Sequence, residues 1–193
     1  MIKIRPKFSD TVIFSDLHYG HDAEFIWEKR GFDSPEMHHE YMINQLENEL
    51  VHHNRTIISL GDIMFRGDQK RCALLRESME RVAKVNTFWC IDGNHDMKFL
   101  NREKLQRVNR IGDMAMLQEG NQVVIISHYP LLEWPSKFYG AVHLHGHCHG
   151  NLDVISDGRM DCSADELMRV FDRPIVPLPD ILDYIKHRDL EVL

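Results

Sequence analysis

Five times along this chain a short run of β-branched or aromatic residues gives way at once to Asp, His or Asn. Thr11 to Phe14 leads into Ser15-Asp16-Leu17-His18, Thr56 to Leu60 into Gly61-Asp62, and Thr87 to Ile91 into Asp92-Gly93-Asn94-His95-Asp96. Val123 to Ile126 leads into Ser127-His128, and Ala141-Val142 into an alternating tract that carries His143, His145, His147 and His149. Such runs, bounded by turn formers, read as buried strands. In α/β sheets ligands bind beyond the carboxyl ends of the strands, so side chains that follow five separate strands can meet in space although they are far apart in sequence.

Helical patterns separate the runs. Ser34 stands as an N-cap before Pro35 at the first helical position, and Tyr41, Leu46 and Leu50 follow on roughly one face. Further helices are expected over about Arg71 to Val85 and about Lys98 to Asn109. Strands alternating with helices in the first half, and a second half from Asn121 richer in strands, give an α/β chain whose mixed sheets are flanked by helices.

Size and composition narrow the class. The 193 residues, 43% hydrophobic, fit one domain over 1–193 that buries about 70% of its unfolded surface, and no repeat, low-complexity tract or linker marks a boundary. The N-terminal stretch MIKIRPKFSD lacks the apolar core of a signal peptide. No apolar run approaches the roughly 18 to 20 residues of a membrane span, so a cytoplasmic protein with no membrane partner is expected. Four cysteines without a CxxC pair fit a reducing compartment; Cys148, between two histidines, is expected to be a bystander rather than a soft metal ligand. The net charge of −7 makes a poor non-specific nucleic-acid binder, so any phosphate handled needs a local positive charge such as bound metal. Nothing in the sequence fixes an oligomeric state.

The donors gathered at the strand ends are carboxylates, a carboxamide oxygen and imidazoles. That mixed set suits first-row transition metals such as Mn, Fe or Zn better than Ca or Mg. It also exceeds what one tetrahedral site can use, which points to two ions sharing a carboxylate.

The blocks DLH at Asp16 to His18, GD at Gly61-Asp62, GNHD at Gly93 to Asp96, His128 in SHYP and GHCH at Gly146 to His149, in this order, resemble the calcineurin-like metallophosphoesterase superfamily and its small bacterial and phage members. The resemblance covers residues 16 to 149. It implies an α/β fold of two packed mixed β-sheets flanked by helices, a four-layer αββα sandwich. It also implies a binuclear centre with Asp16, His18 and His149 on one ion, Asn94, His128 and His147 on the other, and Asp62 bridging. The ions would be two divalent transition metals, manganese first, with Fe, Zn or Ni as alternatives. His143 and His145 match no ligand position and are expected to be strand residues. GRMDCSAD and RPIVPLPDILDYI resemble the closing strand and proline-rich tail of such proteins.

The activity this implies is hydrolysis of a phosphodiester or phosphomonoester by a metal-bridging hydroxide, with His95 protonating the leaving oxygen and a nucleotide or related small ester as substrate. Related Ser/Thr protein phosphatases carry GDxVDRG where this chain has GDIMFRG: Arg66 matches their phosphate-binding arginine, whereas Phe65 replaces the aspartate that pairs with the catalytic histidine. A protein phosphatase and a non-catalytic metal-binding scaffold are the alternative functions. Tyr19, His21 and Trp134 either shape the substrate pocket, where an aromatic could stack on a nucleobase, or simply pack.

Overall fold

The strand-like runs are strands whose two faces are both covered. The computed structural model describes residues 1–65, 69–96, 99, 105–152 and 158–191. Their strands are β1 (Ile2–Ile4), β2 (Thr11–Phe14), β3 (Thr56–Ser59), β4 (Thr87–Ile91), β5 (Val108–Gly112), β6 (Met114–Glu119), β7 (Gln122–Ser127), β8 (Val142–His145), β9 (Arg159–Asp161) and β10 (Val176–Pro177). The helices are α1 (Glu24–Trp27), α2 (Pro35–Asn48), α3 (Gln69–Val85), α4 (Ala164–Phe171) and α5 (Leu178–Glu191).

Two mixed five-stranded sheets result, ordered β1-β6-β7-β8-β9 and β10-β2-β3-β4-β5, and helices flank them. Side chains alternate across a strand, and this explains the continuous apolar runs. Ile13, Ile58 and Ile91 enter a core shared with Leu117, Ile126 and Leu144 of the other sheet. Val12, Phe14, Ile57, Phe88 and Cys90 point the opposite way, against Met42 and Leu46 of α2 and Leu75 and Met79 of α3. On the first sheet, Ile125 meets Trp134 and Ala141, so the chain between β7 and β8 covers part of a face.

Register then sets the site. β2, β3 and β4 are parallel, with Phe14 opposite Ser59 and Ser59 opposite Cys90, so the segments after these strands leave at one level. β7 and β8 are also parallel, with Ile126 opposite Leu144. Hydrogen bonds tie the ends together: Asp16 N donates to Gly61 O at 2.9 Å and Gly146 N to His128 O at 2.9 Å.

Several expectations change in detail. Ser34 caps α2, its hydroxyl accepting the Met37 amide at 3.2 Å, a contact worth about 1 kcal/mol. The stripe α2 buries is His38, His39, Met42 and Leu46, and Leu50 lies past the helix end in the turn Glu49–Val51. Half of the helix expected over Lys98 to Asn109 lies outside the described residues, and its last two positions instead open β5. The proline-rich tail is ordinary secondary structure: β10 pairs antiparallel with β2, and α5 buries Leu178, Ile181 and Ile185. Pro177 sits on an edge strand and Pro179 in a first helical turn, where the missing N–H costs nothing. No helix among the described residues is long and apolar enough to cross a membrane.

Candidate metal centre

The loops that leave the strands carry unusual backbone. Asp16, His18, Asp62, His147 and His149 all adopt left-handed φ, between 50° and 72°. A non-glycine residue there stores about 1–3 kcal/mol of strain, which persists only where surrounding contacts impose it. Here backbone bonds impose it: His18 N donates to Asp62 O at 3.0 Å, and Asp62 Oδ1 accepts the His95 amide at 2.8 Å. Asp16 Oδ2 accepts the His147 amide at 2.9 Å. Gly93 and Gly146 permit this approach, since a Cβ on Gly93 would strike Asp62 and one on Gly146 would strike Ser15 and Asp16.

All seven residues expected as ligands meet at this point. His18 Nε2 lies 3.1 Å from His149 Nε2, and Asp16 Oδ1 is 3.7 Å from each of them. Asp62 Oδ2 is 3.5 Å from His128 Nε2 and 3.9 Å from His18 Nε2. Asn94 Oδ1 lies 2.9 Å from His128 Nε2 and 3.1 Å from His147 Nδ1. Asp16, His18 and His149 form one group whose donor atoms all lie within 4.8 Å of one another, and Asp16, Asp62 and His128 form a second. Asp16 thus belongs to both groups, while Asp62 faces histidines of each.

Fit to a cation is visible in single atoms. Asp16 is fully buried, and its Oδ1 has no hydrogen-bond partner among the described residues although it sits between two imidazole nitrogens. A buried carboxylate oxygen left so is costly unless a cation meets it. His128 Nδ1 faces the Leu60 carbonyl at 2.9 Å, which takes the N–H and leaves Nε2 bare toward Asp62 and Asn94.

Charge is distributed unevenly. Burial opposes ionisation of Asp16 and Asp62, but the imidazoles around them, His18 on Asp16 and His128 on Asp62, hold both below the usual carboxylate range. Burial likewise opposes a charged imidazole, and carboxylates overcome it at only two: Asp62 raises His128 and Asp165 raises His149. His18 and His147 are pushed down and stay neutral, the form in which imidazole ligates metal.

His95 stands at the mouth, about a third exposed, its Nε2 3.9 Å from Asp62 Oδ2 and its ring edge-on to Phe65 with centroids 4.6 Å apart. His21 stacks on Phe65 at 3.7 Å, beside the exposed Phe25 at 5.4 Å, and burial pushes it down to about 4. Tyr19 and Trp134 are elsewhere. Tyr19 is buried with Met42 and Leu46, its ring 5.3 Å from His39. Trp134 is buried against Ile125 and donates its indole N–H to Ala141 O at 2.7 Å, so packing occupies both. Arg66 lies outside the described residues. His143 and His145 are buried strand residues, and the Cys148 thiol is pushed up to about 11 by burial, so it stays protonated at neutral pH.

Residues outside the motifs hold the candidate ligands in place. Asp165 accepts His149 Nδ1 at 2.7 Å, and Arg30 donates to the same oxygen at 2.6 Å. Asp96 was visible in GNHD without a role. Buried and pushed up to about 7 by burial and Asp62, it accepts the Met64 amide at 3.1 Å and the Gly93 amide at 3.3 Å. Tyr129 directly follows His128, half exposed, with its ring 4.5 Å from that of His147.

Among solved structures, the chain is similar to the nuclease MPE of Pseudomonas putida: 18% identity, TM-score 0.49, 73% of this chain and 62% of the nuclease. It is also similar to Yfce, a phosphoesterase from E. coli: 15% identity, TM-score 0.43, 72% of this chain and 69% of that one. The chain spans less than two thirds of the nuclease it matches. No protein-family model and no curated protein sequence matches it.

Proposed function

We propose that this chain is a binuclear-metal phosphoesterase that hydrolyses a phosphodiester or phosphomonoester, with a nucleotide or related small ester as substrate. The observation that carries the reading is Asp16 Oδ1, a buried carboxylate oxygen without a hydrogen-bond partner among the described residues, set 3.7 Å from two imidazole nitrogens. Asp16, His18 and His149 would hold one divalent ion and Asn94, His128 and His147 the other, with Asp62 between them. Manganese is the first expectation, and Fe, Zn or Ni are compatible with the donors. When bound, such a pair supplies Lewis acidity toward phosphate oxygens and lowers the pKa of water toward neutrality.

The protein's own groups do the rest. His95, held beside the cluster by its backbone bond to Asp62, would give a proton to the leaving oxygen, general acid help being worth about 10² to 10⁴ in rate. Phe25, 5.4 Å from His21, and Tyr129, 4.5 Å from His147, expose rings that offer faces for a nucleobase. The net charge of −7 favours small esters over long polyanions, because the overall field repels them.

The test is turnover by protein loaded with Mn²⁺ on bis-p-nitrophenyl phosphate, p-nitrophenyl phosphate, a thymidine 5′-p-nitrophenyl ester, an oligonucleotide and a phosphopeptide. Turnover of the small esters at two ions per chain supports the proposal, and Tyr129→Ala should then raise KM for the thymidine ester by about fivefold or more. Turnover of the phosphopeptide alone would make the chain a protein phosphatase. Two bound ions with no turnover would make it a metal-binding scaffold.

A further inference from the structure

Arg30 lies in the turn after α1, is 8% exposed, and spends four donor contacts in one place. Nη2 donates to the Asp16 carbonyl at 2.8 Å and to Asp165 Oδ2 at 2.6 Å. Nη1 donates to the Leu17 carbonyl at 3.0 Å and faces His38 Nε2 at 2.9 Å. A guanidinium taken out of water needs such acceptors, and a simple staple between α1 and α4 would need only the carboxylate. Arg30 instead also holds two consecutive carbonyls of the loop in which Asp16 and His18 keep left-handed backbone.

Asp165 extends the same grip to the other side of the cluster. It is the second residue of α4, where the helix N-terminus favours a carboxylate, and Arg30 and His149 hold it well below the usual carboxylate range against the opposing effect of burial. Its Oδ2 takes His149 Nδ1 at 2.7 Å as well as Arg30. That bond fixes the tautomer in which Nε2 carries the lone pair, and Nε2 is the atom that faces His18 and Asp16. Lys29, next to Arg30, donates to the His149 carbonyl at 3.0 Å. One guanidinium therefore spans both halves of the group Asp16, His18 and His149.

We infer that Arg30 and Asp165 are positioning residues for the ion held by Asp16, His18 and His149, and that they set its affinity without governing the neighbouring ion. The inference rests on the metal reading proposed above. The neighbouring group has separate support, because the Leu60 carbonyl orients His128.

The experiment is a competition titration of the metal-free full chain with Zn²⁺, with metal content by mass spectrometry, on wild type, Asp165→Ala, Asp165→Asn and Arg30→Met. Wild type should bind two ions. Asp165→Ala should weaken one ion by about 10- to 100-fold and leave the other within about twofold. Asp165→Asn, which keeps an acceptor oxygen, should lose less. Arg30→Met should weaken the same ion as Asp165→Ala. Unchanged affinities in Asp165→Ala, or equal losses at both ions, would overturn the inference while leaving the two-ion reading intact. A wild type that binds no Zn²⁺ would overturn both. Should the variants fail to fold, ring ¹⁵N shifts of His149 in Zn²⁺-loaded wild type decide: a proton on Nδ1 supports the pair, and a proton on Nε2 refutes it.

Discussion

Asp16 divides its carboxylate between two fates: Oδ2 accepts the amide of His147, 131 residues further along the chain, at 2.9 Å, and Oδ1, equally buried, accepts nothing from the described residues. One oxygen fastens two loops together, and the other points among imidazole nitrogens. A cation there would satisfy that second oxygen and relieve the crowding of histidines around it. Its binding would therefore be coupled to folding, since the donors are brought together only in the folded chain.

Metal removal should accordingly destabilise the protein. A ligand at 100 times its dissociation constant that binds only the native state adds about 2.7 kcal/mol, and a chain of this length shifts Tm by roughly 2–4 °C per kcal/mol. Thermal melts with excess Mn²⁺ and with chelator should differ by about 5–10 °C, and Asp16→Ala should shrink the difference, because Asp16 would hold one of the two ions. A full metal-induced shift in Asp16→Ala would show that the ions bind elsewhere.

Gly146→Ala tests the close approach of the loops. The added methyl would strike Ser15 and Asp16, so either the GHCH loop withdraws or the Asp16 loop does. Overpacking of this kind costs about 1–3 kcal/mol. The variant should melt lower and lose metal, whereas Gly120→Ala, at a turn with open space around it, should keep full metal content. Metal analysis of the two variants side by side is the check.

How far the sequence could lead follows from the same loops. Asp16, Asp62, Asn94 and His128 were legible because each abuts a β-branched run, and an apolar strand followed at once by a ligand-type residue is a local pattern. Arg30 and Asp165 were not, because their partners lie 14 and 135 residues away and neither stands in a periodic or motif context. Tyr19 and Trp134 show the opposite limit. Nearness in sequence to DLH and SHYP made them candidates, yet adjacency says nothing about which way a ring turns, and both turn into the core. The prolines of the tail are accommodated without disruption, one on an edge strand and one in a first helical turn.

Acid should weaken the fold through histidines outside the metal centre. Burial, with Arg30 acting on His38 and His145 on His143, pushes His38 down to about 2 and His143 to about 3. Below about pH 6.5 the unfolded chain binds a proton at each that the folded chain refuses, so stability falls as pH drops from 6.5 toward 3, by about 1.4 kcal/mol per pH unit for each group. Asp96 and Asp161, raised by burial to about 7 and about 6, act in the opposite sense, so the comparison must be between variants. Between pH 6 and 4 the stability of chelated His143→Gln should fall less steeply than that of chelated wild type. Parallel pH profiles in denaturant titrations would contradict the assignment.

His95 and Phe65 pose the sharpest question about the chemistry. The imidazole reaches the mouth of the site with an apolar ring edge-on at 4.6 Å, and Asp62 Oδ2 is 3.9 Å from Nε2, beyond hydrogen-bonding distance. It is beside the donor cluster and not within it. His95→Gln should therefore leave metal content near normal while lowering kcat by about 10² or more on esters with poor leaving groups. With p-nitrophenolate as leaving group the loss should shrink, because that anion departs with little need of a proton. Phe65→Asp would place a carboxylate beside the ring and should favour the imidazolium, which moves the basic limb of the pH–rate profile upward. The two variants together separate roles: equal losses on good and poor leaving groups in His95→Gln, with an unmoved basic limb in Phe65→Asp, would mean that His95 positions phosphate and transfers no proton.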